Sequence, residues 1–566
     1  MPLEHVRIEG FRGVRSLALP LDATTALIGE NNAGKTSVLD ALSLGFGAAP
    51  LGAPHLRRED FHVPPEPGAS PVAAAAITFS FREPDRGAFD EEGWAALGKT
   101  ASTADAAGLR KLSVRLSASL PAPGEMSEAR WELLDAWGNP RTPTPTGEAV
   151  ELLRRRFPVL RLRPGQPSAG LTPFTRATDV RPAPPEDTVR NLERLVGTAY
   201  RKIATTWRPL PAELESAMTA VRELARRYEE GFSALHAAPP GRTFESIAET
   251  PVRLGARSPL LPGLPGAGMG VQNVALLAAL GSFLEARGDS PLPAGAEPVV
   301  VIEDPESRLH PILLASVWRV IDRIPAQKVV TTNSGDLLAT VPLHSLRRLV
   351  RKASGVEAWR VGEKALTPDE ARRIAFHVRM NRASAFFARC WVLVEGETES
   401  WILPELARLL GYDFPAEGIR CVEFAQCGVA PLVKLARELG IEWHLLADGD
   451  PAGHSYAEAA RRLLDARPEA DRLTALRAPD LEHCLFACGY APVFRKAAAE
   501  AGPLPDARKG RERPRRVIEQ ALHRYPKPRM ALEVVEAAAG PGSPGVPRIL
   551  ASLVETAVRL ARGSSS

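Results

Sequence analysis

A glycine-rich run near the start of the sequence has the residue types and spacing of a phosphate-binding loop. Residues 29–37 read GENNAGKTS and fit the pattern G-x-x-x-x-G-K-[ST]. Glycines let backbone N–H groups turn toward phosphates, and the positive end of the following helix favours the same anion. Lys35 is expected to reach the β- and γ-phosphates of a nucleotide, and Thr36 to bind Mg²⁺. The residues predicted to form this nucleotide site are Gly29, Asn31, Asn32, Gly34, Lys35, Thr36 and Ser37.

A second group of reactive residues follows the apolar run at 297–302. That run ends in Glu303 and Asp304, and P-loop ATPases end one strand in acids that bind Mg²⁺ and polarise water. We assign Glu303 to the metal and Asp304 to the water. A buried strand capped by solvated acids is the alternative, but a further strand at 328–332, ending at Asn333, favours a nucleotide site.

Three acidic pairs in the last third of the sequence could bind metal ions. They are Glu395 with Glu399, Asp448 with Asp450, and Asp480 with Glu482. Each pair follows an apolar run typical of a strand, and parallel α/β sheets place their ligands at the carboxyl ends of strands. Residues two apart on a strand share a face, so we expect Asp448 and Asp450 to project together from the strand end. Carboxylate oxygens favour Mg²⁺ or Mn²⁺ over zinc. Solvated acids at loop tips are the alternative.

The elements that must position these residues can be read from hydrophobic periodicity. The run 25–28 predicts a strand before the glycine loop, and 38–42 predicts the helix after it. Alternating segments at 3–8, 17–19, 73–81, 111–116 and 129–134 predict an antiparallel arm. Between 185 and 237 the pattern is helical, which favours an insertion that either packs within the chain or mediates dimerisation. Strands and helices alternate again from the strand predicted at 386–394.

Composition limits the classes of protein that fit. A chain of 566 residues suggests roughly three or four domains. The net charge of +4, with 24% charged residues, gives no general basic field, so any contact with DNA must be local. No run approaches the roughly 18 apolar residues of a membrane span, and the first residues lack a signal-peptide core. We therefore expect a cytoplasmic protein.

Residues 1–45 and 255–340 resemble the ATPase heads of the RecF/SMC and ABC type. The resemblance implies a homodimer that holds two ATP molecules between its heads. Glycines at 266–270, before an apolar helix, would then be the signature loop, with Gly268, Gly270 and Gln272 reaching the ATP of the other copy. Such heads usually carry histidine in the run T-T-H-S. Here Asn333 takes that place at the nucleotide, and an amide cannot take up a proton as imidazole does.

The acidic pattern E-G-x-x-E, D-G-D, D-L-E resembles the TOPRIM fold of topoisomerases, primases and the OLD (overcoming lysogenization defect) nucleases. A P-loop head followed by TOPRIM is the OLD arrangement, which the nuclease subunit of the Gabija antiphage system shares. The resemblance implies that all six acids bind two metal ions. One ion would activate water and the other would stabilise the leaving oxygen. It also implies a lysine near the phosphate, and Lys527 fits that position.

The sequence therefore predicts an α/β protein, with an ABC-type P-loop ATPase and helical dimerisation insertion followed by a parallel TOPRIM sheet. The expected parts are 1–180 (first part of the ATPase), 181–250 (insertion), 251–370 (second part of the ATPase) and 385–566 (TOPRIM). The expected function is an ATP-binding, metal-dependent DNA endonuclease or nickase in phage defence or DNA repair, using ATP and Mg²⁺ or Mn²⁺, with a helicase partner left open. The alternative is a RecF/SMC-like DNA-binding repair factor without nuclease activity.

Overall fold

The protein is described from a computed structural model. It covers residues 3–47, 54–83, 85–90, 108–135, 137–141, 147–162, 296–307, 324–376, 383–464, 467–502 and 513–563, with Leu314, Trp318, Ile321 and Asp322. The chain divides into two compact units, Met1–Ala358 and Trp359–Ser566. The insertion predicted at 181–250 and the glycines at 266–270 lie outside the described residues. None of the described helices is long and apolar enough to cross a membrane.

The first unit contains an antiparallel and a parallel sheet. Its strands are β1 (Leu3–Phe11), β2 (Val14–Pro20), β3 (Thr24–Gly29), β4 (His55–Arg57), β5 (Ala74–Arg82), β6 (Lys111–Ser119), β7 (Met126–Glu128), β8 (Arg130–Leu134), β9 (Val159–Leu162), β10 (Val299–Ile302), β11 (Gln327–Thr331), β12 (Leu346–Lys352) and β13 (Gly355–Trp359). Its described helices include α1 (Lys35–Phe46), α2 (Gly147–Arg156) and α3 (Gly335–Leu338). Strands β4 and β7 form a small separate pair.

The antiparallel sheet has the strand order β2-β1-β5-β6-β8 and is the arm that the alternating segments predict. Every second residue of β5 is buried, as a strand with one covered face requires. Helix α1 lies against this face, since the Phe46 and Phe79 ring centroids are 4.8 Å apart. Gly45 allows the close approach: a Cβ there would lie 2.5 Å from the Phe79 ring.

The parallel sheet, with the order β13-β12-β3-β11-β10-β9, brings the nucleotide residues to one edge. Strand β3 pairs in parallel with β11 and β12, and β10 pairs in parallel with β11 and β9. Ile302 is opposite Leu162 on one side and Val330 on the other, so these strands end together. The glycine loop, Glu303 and Asn333 therefore follow strand ends at the same edge of the sheet.

The second unit is built around a parallel sheet with the order β15-β14-β16-β17. Its strands are β14 (Cys390–Val394), β15 (Ile419–Glu423), β16 (Glu442–Ala447) and β17 (Leu473–Ala475). Its described helices include α4 (Pro368–Ile374), α5 (Glu397–Leu409), α6 (Val429–Glu438), α7 (Pro451–Arg461), α8 (Leu481–Leu485), α9 (Ala491–Ala501), α10 (Pro514–Arg524), α11 (Lys527–Ala539) and α12 (Arg548–Gly563).

The strand predicted from Phe386 begins only at Cys390. Residues 383–387 form a 3₁₀ helix instead, held by the hydrogen bond that Trp391 Nε1 donates to the Ala385 carbonyl at 2.8 Å. The apolar run therefore covers two buried elements, which periodicity alone does not separate. Helix α12 buries Leu550, Val554 and Ala557 among others on one face and packs on β14, β15 and β16.

Candidate active site

The glycine loop joins β3 to α1 in the predicted order of strand, loop and helix. Gly29 and Gly34 have φ angles of 145° and 92°, a region that side chains disfavour. A Cβ on Gly34 would also lie 2.7 Å from Val14 Cγ2. Both glycines are therefore required by the loop conformation, and no side chain caps the N-terminus of α1.

Lys35 is buried within this loop. Its Nζ donates to the Gly29 carbonyl at 2.6 Å and the Glu30 carbonyl at 3.1 Å. Burial lowers the pKa of Lys35, and the nearby charges of Asp304 and Glu306 offset part of that shift. The ammonium group thus lies among backbone carbonyls and close to two acids that follow β10.

Two further residues of the loop contact the rest of the first unit. The Gly13 N–H donates to Ser37 Oγ at 3.3 Å, which ties the β1–β2 turn to α1. The Arg351 guanidinium donates to the Asn32 carbonyl, with Nε at 3.0 Å, and to the Gly13 carbonyl at 2.7 Å. Arg351 was not predicted, because it lies more than 300 residues from the loop that it holds.

Glu303 faces Thr36 across the sheet edge. Thr36 Oγ1 donates to Glu303 Oε1 at 3.2 Å, so the predicted Mg²⁺ ligands are neighbours. Arg161, near the end of β9, donates to Glu303 Oε2 at 2.8 Å and also pairs with Asp40 of α1. Arg161 was not predicted, although a charged residue within the apolar run 159–162 is a signal that could have found it.

Asp304, the predicted water-polarising residue, has a φ of 41°, which non-glycine residues adopt only with strain. Thr331 Oγ1 donates to Asp304 Oδ1 at 2.9 Å, and Asn333 Nδ2 lies 3.5 Å from Asp304 Oδ2. The same Asn333 donates its backbone N–H to Glu306 Oε1 at 2.7 Å. Asn333 thus lies beside both acids of this strand end.

Glu306 is a further acid that the sequence did not assign. Its Oε2 is buried and has no hydrogen-bond partner among the described residues. Burial raises the pKa of Glu306, and the charge of Asp304 raises it further. A partly buried carboxylate with one uncommitted oxygen near Lys35 is suited to accept a hydrogen bond from water.

In the second unit the acidic pairs follow the ends of adjacent parallel strands. Glu395 follows β14, and Glu399 lies in the first turn of α5, where its Oε2 accepts the Gly396 N–H at 3.2 Å. Asp448 follows β16. Asp480 is the N-cap of α8, and Glu482 lies in the first turn of that helix. The structure therefore places these acids at one edge of the sheet.

Asp448 and Asp450 do not project from a strand, and that prediction is wrong. Strand β16 ends at Ala447, and Asp450 is instead the N-cap of α7, with its Oδ1 accepting the Gly453 N–H at 2.6 Å. Glycine is required at 449 because a Cβ there would lie 2.4 Å from the Ala478 carbonyl oxygen. The Gly449 N–H donates to that carbonyl at 3.0 Å, which holds the segment before Asp480 close to Asp448.

The acids interact strongly with one another. Burial raises the pKa of Asp448 to about 8, with further contributions from Glu399, Glu395, Asp480 and Glu482. Burial also raises the pKa of Glu399, with a contribution from Glu482. These shifts show mutual repulsion in a partly desolvated space.

Asp450 also interacts with this group of acids, because its charge acts on Glu395. Burial raises the pKa of Glu395, and the charge of Asp450 raises it further. The Glu395 Oε2 atom is buried without a hydrogen-bond partner among the described residues. It is therefore an oxygen that a cation could use.

Lys527, the first residue of α11, lies against these acids. Its Nζ is 3.1 Å from Glu482 Oε1. Burial lowers the pKa of Lys527, but Glu482, Asp480 and Glu399 raise it overall. The structure thus brings the lysine and the acids together from widely separated parts of the sequence.

The donor set fits a hard divalent cation. It consists of carboxylate oxygens, several of them held near one another against their charge. Across the described ranges, no three His, Cys, Asp or Glu side chains are arranged to hold a metal ion as they stand. Asp480 Oδ1 already accepts the His483 N–H at 2.8 Å, and Glu482 is paired with Lys527. An ion would have to draw these carboxylates inward.

Two described families match successive parts of the chain. Residues 1–385 match the family described as "Protein of unknown function (DUF2813)". Residues 386–450 match "Overcoming lysogenization defect protein-like, TOPRIM domain". The chain is 36% identical over 578 residues to the uncharacterized protein YbjD of Escherichia coli K12, covering 100% of both.

More distant relatives are named as OLD proteins. The chain is 25% identical over 499 residues to the OLD nuclease of Thermus scotoductus, covering 83% of this chain and 86% of the relative. The solved C-terminal region of the Burkholderia pseudomallei OLD protein is 18% identical, covering 32% of this chain and 100% of that one, with a TM-score of 0.26.

An α/β unit with a P-loop followed by an OLD-like TOPRIM domain defines the class of this protein, and the predicted α/β fold is confirmed for the described residues. The chain is an OLD-family protein and belongs to the family described as DUF2813. The OLD-like TOPRIM domain and the OLD nuclease relative support a nuclease family.

Proposed function

We propose that this protein is an ATP-binding, divalent-metal-dependent DNA endonuclease or nickase. The observation that supports it is the meeting of acids from successive strand ends with Lys527, within an OLD-like TOPRIM domain. So many partly buried carboxylates repel one another, and a cation would relieve that repulsion. DNA would be the substrate, in phage defence or DNA repair.

Each side chain has a role in this proposal. Glu395, Glu399, Asp448, Asp450, Asp480 and Glu482 would hold Mg²⁺ or Mn²⁺. Two bound ions would supply an activated water and stabilise the leaving oxygen of the phosphodiester. Lys527 would leave Glu482 and place its ammonium group beside the scissile phosphate, because a point charge stabilises negative charge that develops there.

The head would bind ATP and control access to the nuclease. Lys35 would move from the Gly29 and Glu30 carbonyls to the phosphates, and Thr36 with Glu303 would hold Mg²⁺. A homodimer would complete the ATP site with Gly268, Gly270 and Gln272 of the second copy.

Supercoiled-plasmid cleavage tests the nuclease. The protein is incubated with Mg²⁺, Mn²⁺ or EDTA, each with and without ATP, beside Glu399→Ala. We expect metal-dependent nicking that falls at least about 100-fold in the variant, since a metal ligand is lost. Glu405→Ala, on the solvent side of the same helix, is the matched control and should cleave normally. Undiminished nicking by pure Glu399→Ala would refute the assignment.

ATP turnover distinguishes the two acids after β10. Asp304→Asn and Glu306→Gln are compared for ATP affinity and for the rate of phosphate release. Replacing the acid that polarises water should lower the rate of phosphate release at least about 100-fold, with little effect on ATP affinity. Replacing the other acid should lower the rate less. Equal rates of phosphate release in both variants and wild type would exclude both acids from polarising water.

The second candidate is an ATP-gated DNA-binding factor without nuclease activity. The observation that favours it is that Lys527 and His483 already engage two of the acids. It predicts ATP-dependent retention of DNA with no cleavage in any metal, which the plasmid assay and a DNA-retention assay separate.

A further inference from the structure

Arg161 lies at the position where the ATP site is expected to bind its metal. It is the next-to-last residue of β9, which pairs with β10 in parallel, and Arg161 is opposite Val301. Its guanidinium bridges two carboxylates, with one nitrogen 2.8 Å from Glu303 Oε2 and another paired with Asp40. The side chains of Arg161 and Asp40 are each 10% exposed and that of Glu303 is 18% exposed. Water therefore screens these charges only weakly.

Both oxygens of Glu303 are engaged in this arrangement. Thr36 Oγ1 donates to Oε1, and Arg161 donates to Oε2. The threonine hydroxyl keeps lone pairs with which it can bind a metal while it donates its proton, whereas a guanidinium has donors only. Thr36 and Mg²⁺ can therefore share Glu303, but Arg161 and Mg²⁺ compete for it.

Arg161 is also incompletely satisfied where it lies. Its Nε is buried and has no hydrogen-bond partner among the described residues. A buried donor without an acceptor is costly, which lowers the cost of moving this side chain. Asp40 would retain a hold on the guanidinium when Glu303 releases it.

We propose that Arg161 is a positioning residue that substitutes for Mg²⁺ in the nucleotide-free head and gives up Glu303 when Mg²⁺ arrives with the nucleotide. The inference rests on the proposed ATP binding of the head. Arg161 offsets the charge of Glu303 and, together with Arg12, that of Asp40 while the site is empty of nucleotide. The same contact sets the Mg²⁺ concentration that nucleotide binding needs, because the ion must first displace a cation.

The test is the magnesium dependence of nucleotide binding, which requires no turnover. Anisotropy of a fluorescent, non-hydrolysable ATP analogue is measured with full-length wild type and Arg161→Gln, across a Mg²⁺ titration and in EDTA. We expect the Mg²⁺ concentration for half-maximal binding to fall about five- to tenfold in the variant, the lower range of coupling between sites. Binding in EDTA should be unchanged.

Two further variants keep the inference testable. Asp40→Asn removes the partner that keeps Arg161 when Glu303 releases it, so the Mg²⁺ concentration for half-maximal binding should rise, a test that stands even if Arg161→Gln does not fold. Arg115→Gln removes a comparable ion pair, with Glu132 in the antiparallel sheet, and should leave the Mg²⁺ dependence of nucleotide binding unchanged.

The outcomes separate this inference from the function on which it rests. Wild type that binds no nucleotide at any Mg²⁺ concentration would overturn the proposed ATP binding. Wild type that binds normally, with an unchanged or higher Mg²⁺ requirement in Arg161→Gln or an unchanged or lower one in Asp40→Asn, would overturn the role of Arg161. Loss of binding by Arg161→Gln even in EDTA would also overturn it, since Arg161 would then be a ligand of the nucleotide.

Discussion

The nucleotide site and the acidic site solve opposite electrostatic problems. At the nucleotide site Lys35 is held by carbonyls, and Arg161 lies between Glu303 and Asp40, so a cation separates these two carboxylates. At the acidic site like charges meet, and Lys527 pairs with Glu482 among them. Glu303 and Asp40 are therefore paired without a ligand, whereas the acids of the second site repel one another, and a metal ion would relieve that repulsion.

The largest effect should come from removing the cation of the acidic site. Lys527→Ala should lower plasmid nicking about 100-fold, as loss of one charge-stabilising donor typically does. Mn²⁺ should still bind, because the acids remain and a competing cation has gone. Lys496→Ala, an exposed lysine of α9, is the control. Normal nicking by Lys527→Ala would remove the lysine from the proposed mechanism.

The corresponding change at the nucleotide site is Lys35→Ala. Equilibrium binding of a fluorescent ATP analogue should weaken about 50-fold, the value of a charge-assisted hydrogen bond to phosphate. Metal-dependent nicking without ATP should persist, since the acids are untouched. If ATP affinity is unchanged, the glycine loop does not bind phosphate as proposed.

Asp448→Asn should stabilise the metal-free protein, because it removes a carboxylate that neighbouring acids repel. A substitution that only removed contacts would instead destabilise it. The pKa of Asp448 in the folded protein is about 8, against an ordinary value of 3.8, so the folded state holds this proton more tightly than the unfolded state does. The folded protein therefore loses stability as the pH rises between these two values. In EDTA the variant should therefore melt a few degrees above wild type near pH 8, with a smaller gap at lower pH. Thermal melts at several pH values measure this, and a variant that melts lower throughout would contradict the stored repulsion.

The smallest effect should follow Arg351→Lys. Lysine cannot donate to the Asn32 and Gly13 carbonyls in a fork, so the glycine loop loses part of its support. ATP affinity should fall about fivefold, the effect of one ordinary hydrogen bond. Arg115→Lys, at a pair in the antiparallel sheet, should leave it unchanged. A loss as large as that of Lys35→Ala would mean that Arg351 touches the nucleotide.

Sequence reasoning found the features whose signals are local. The glycine loop, Glu303 and the acids after β14 and β16 each adjoin the strand that positions them, so pattern and place coincide. Asp448 and Asp450 were wrongly placed on a strand because the end of β16 depends on Gly449 packing against Ala478, which a single segment does not reveal.

The residues that sequence reasoning missed act across long separations. Arg161 meets Glu303 only because β9 lies beside β10, and Arg351 meets Asn32 only because β12 lies beside β3. Glu306 lies in the acidic motif with Glu303 and Asp304, but its buried oxygen without a hydrogen-bond partner among the described residues is a property of the fold. Sheet order, which the sequence did not predict, supplied all three.

The most direct test of the contrast between the two sites is Mn²⁺ binding in the absence of nucleotide. Binding is measured by electron paramagnetic resonance, as the loss of the free Mn²⁺ signal. Wild type and Lys35→Ala should both bind Mn²⁺, because the acidic site needs a cation whatever the state of the head. The double variant Glu399→Gln and Asp448→Asn should not bind it. Wild type that leaves the Mn²⁺ signal unchanged, or a double variant that still removes it, would contradict a metal-dependent nuclease centre at these acids.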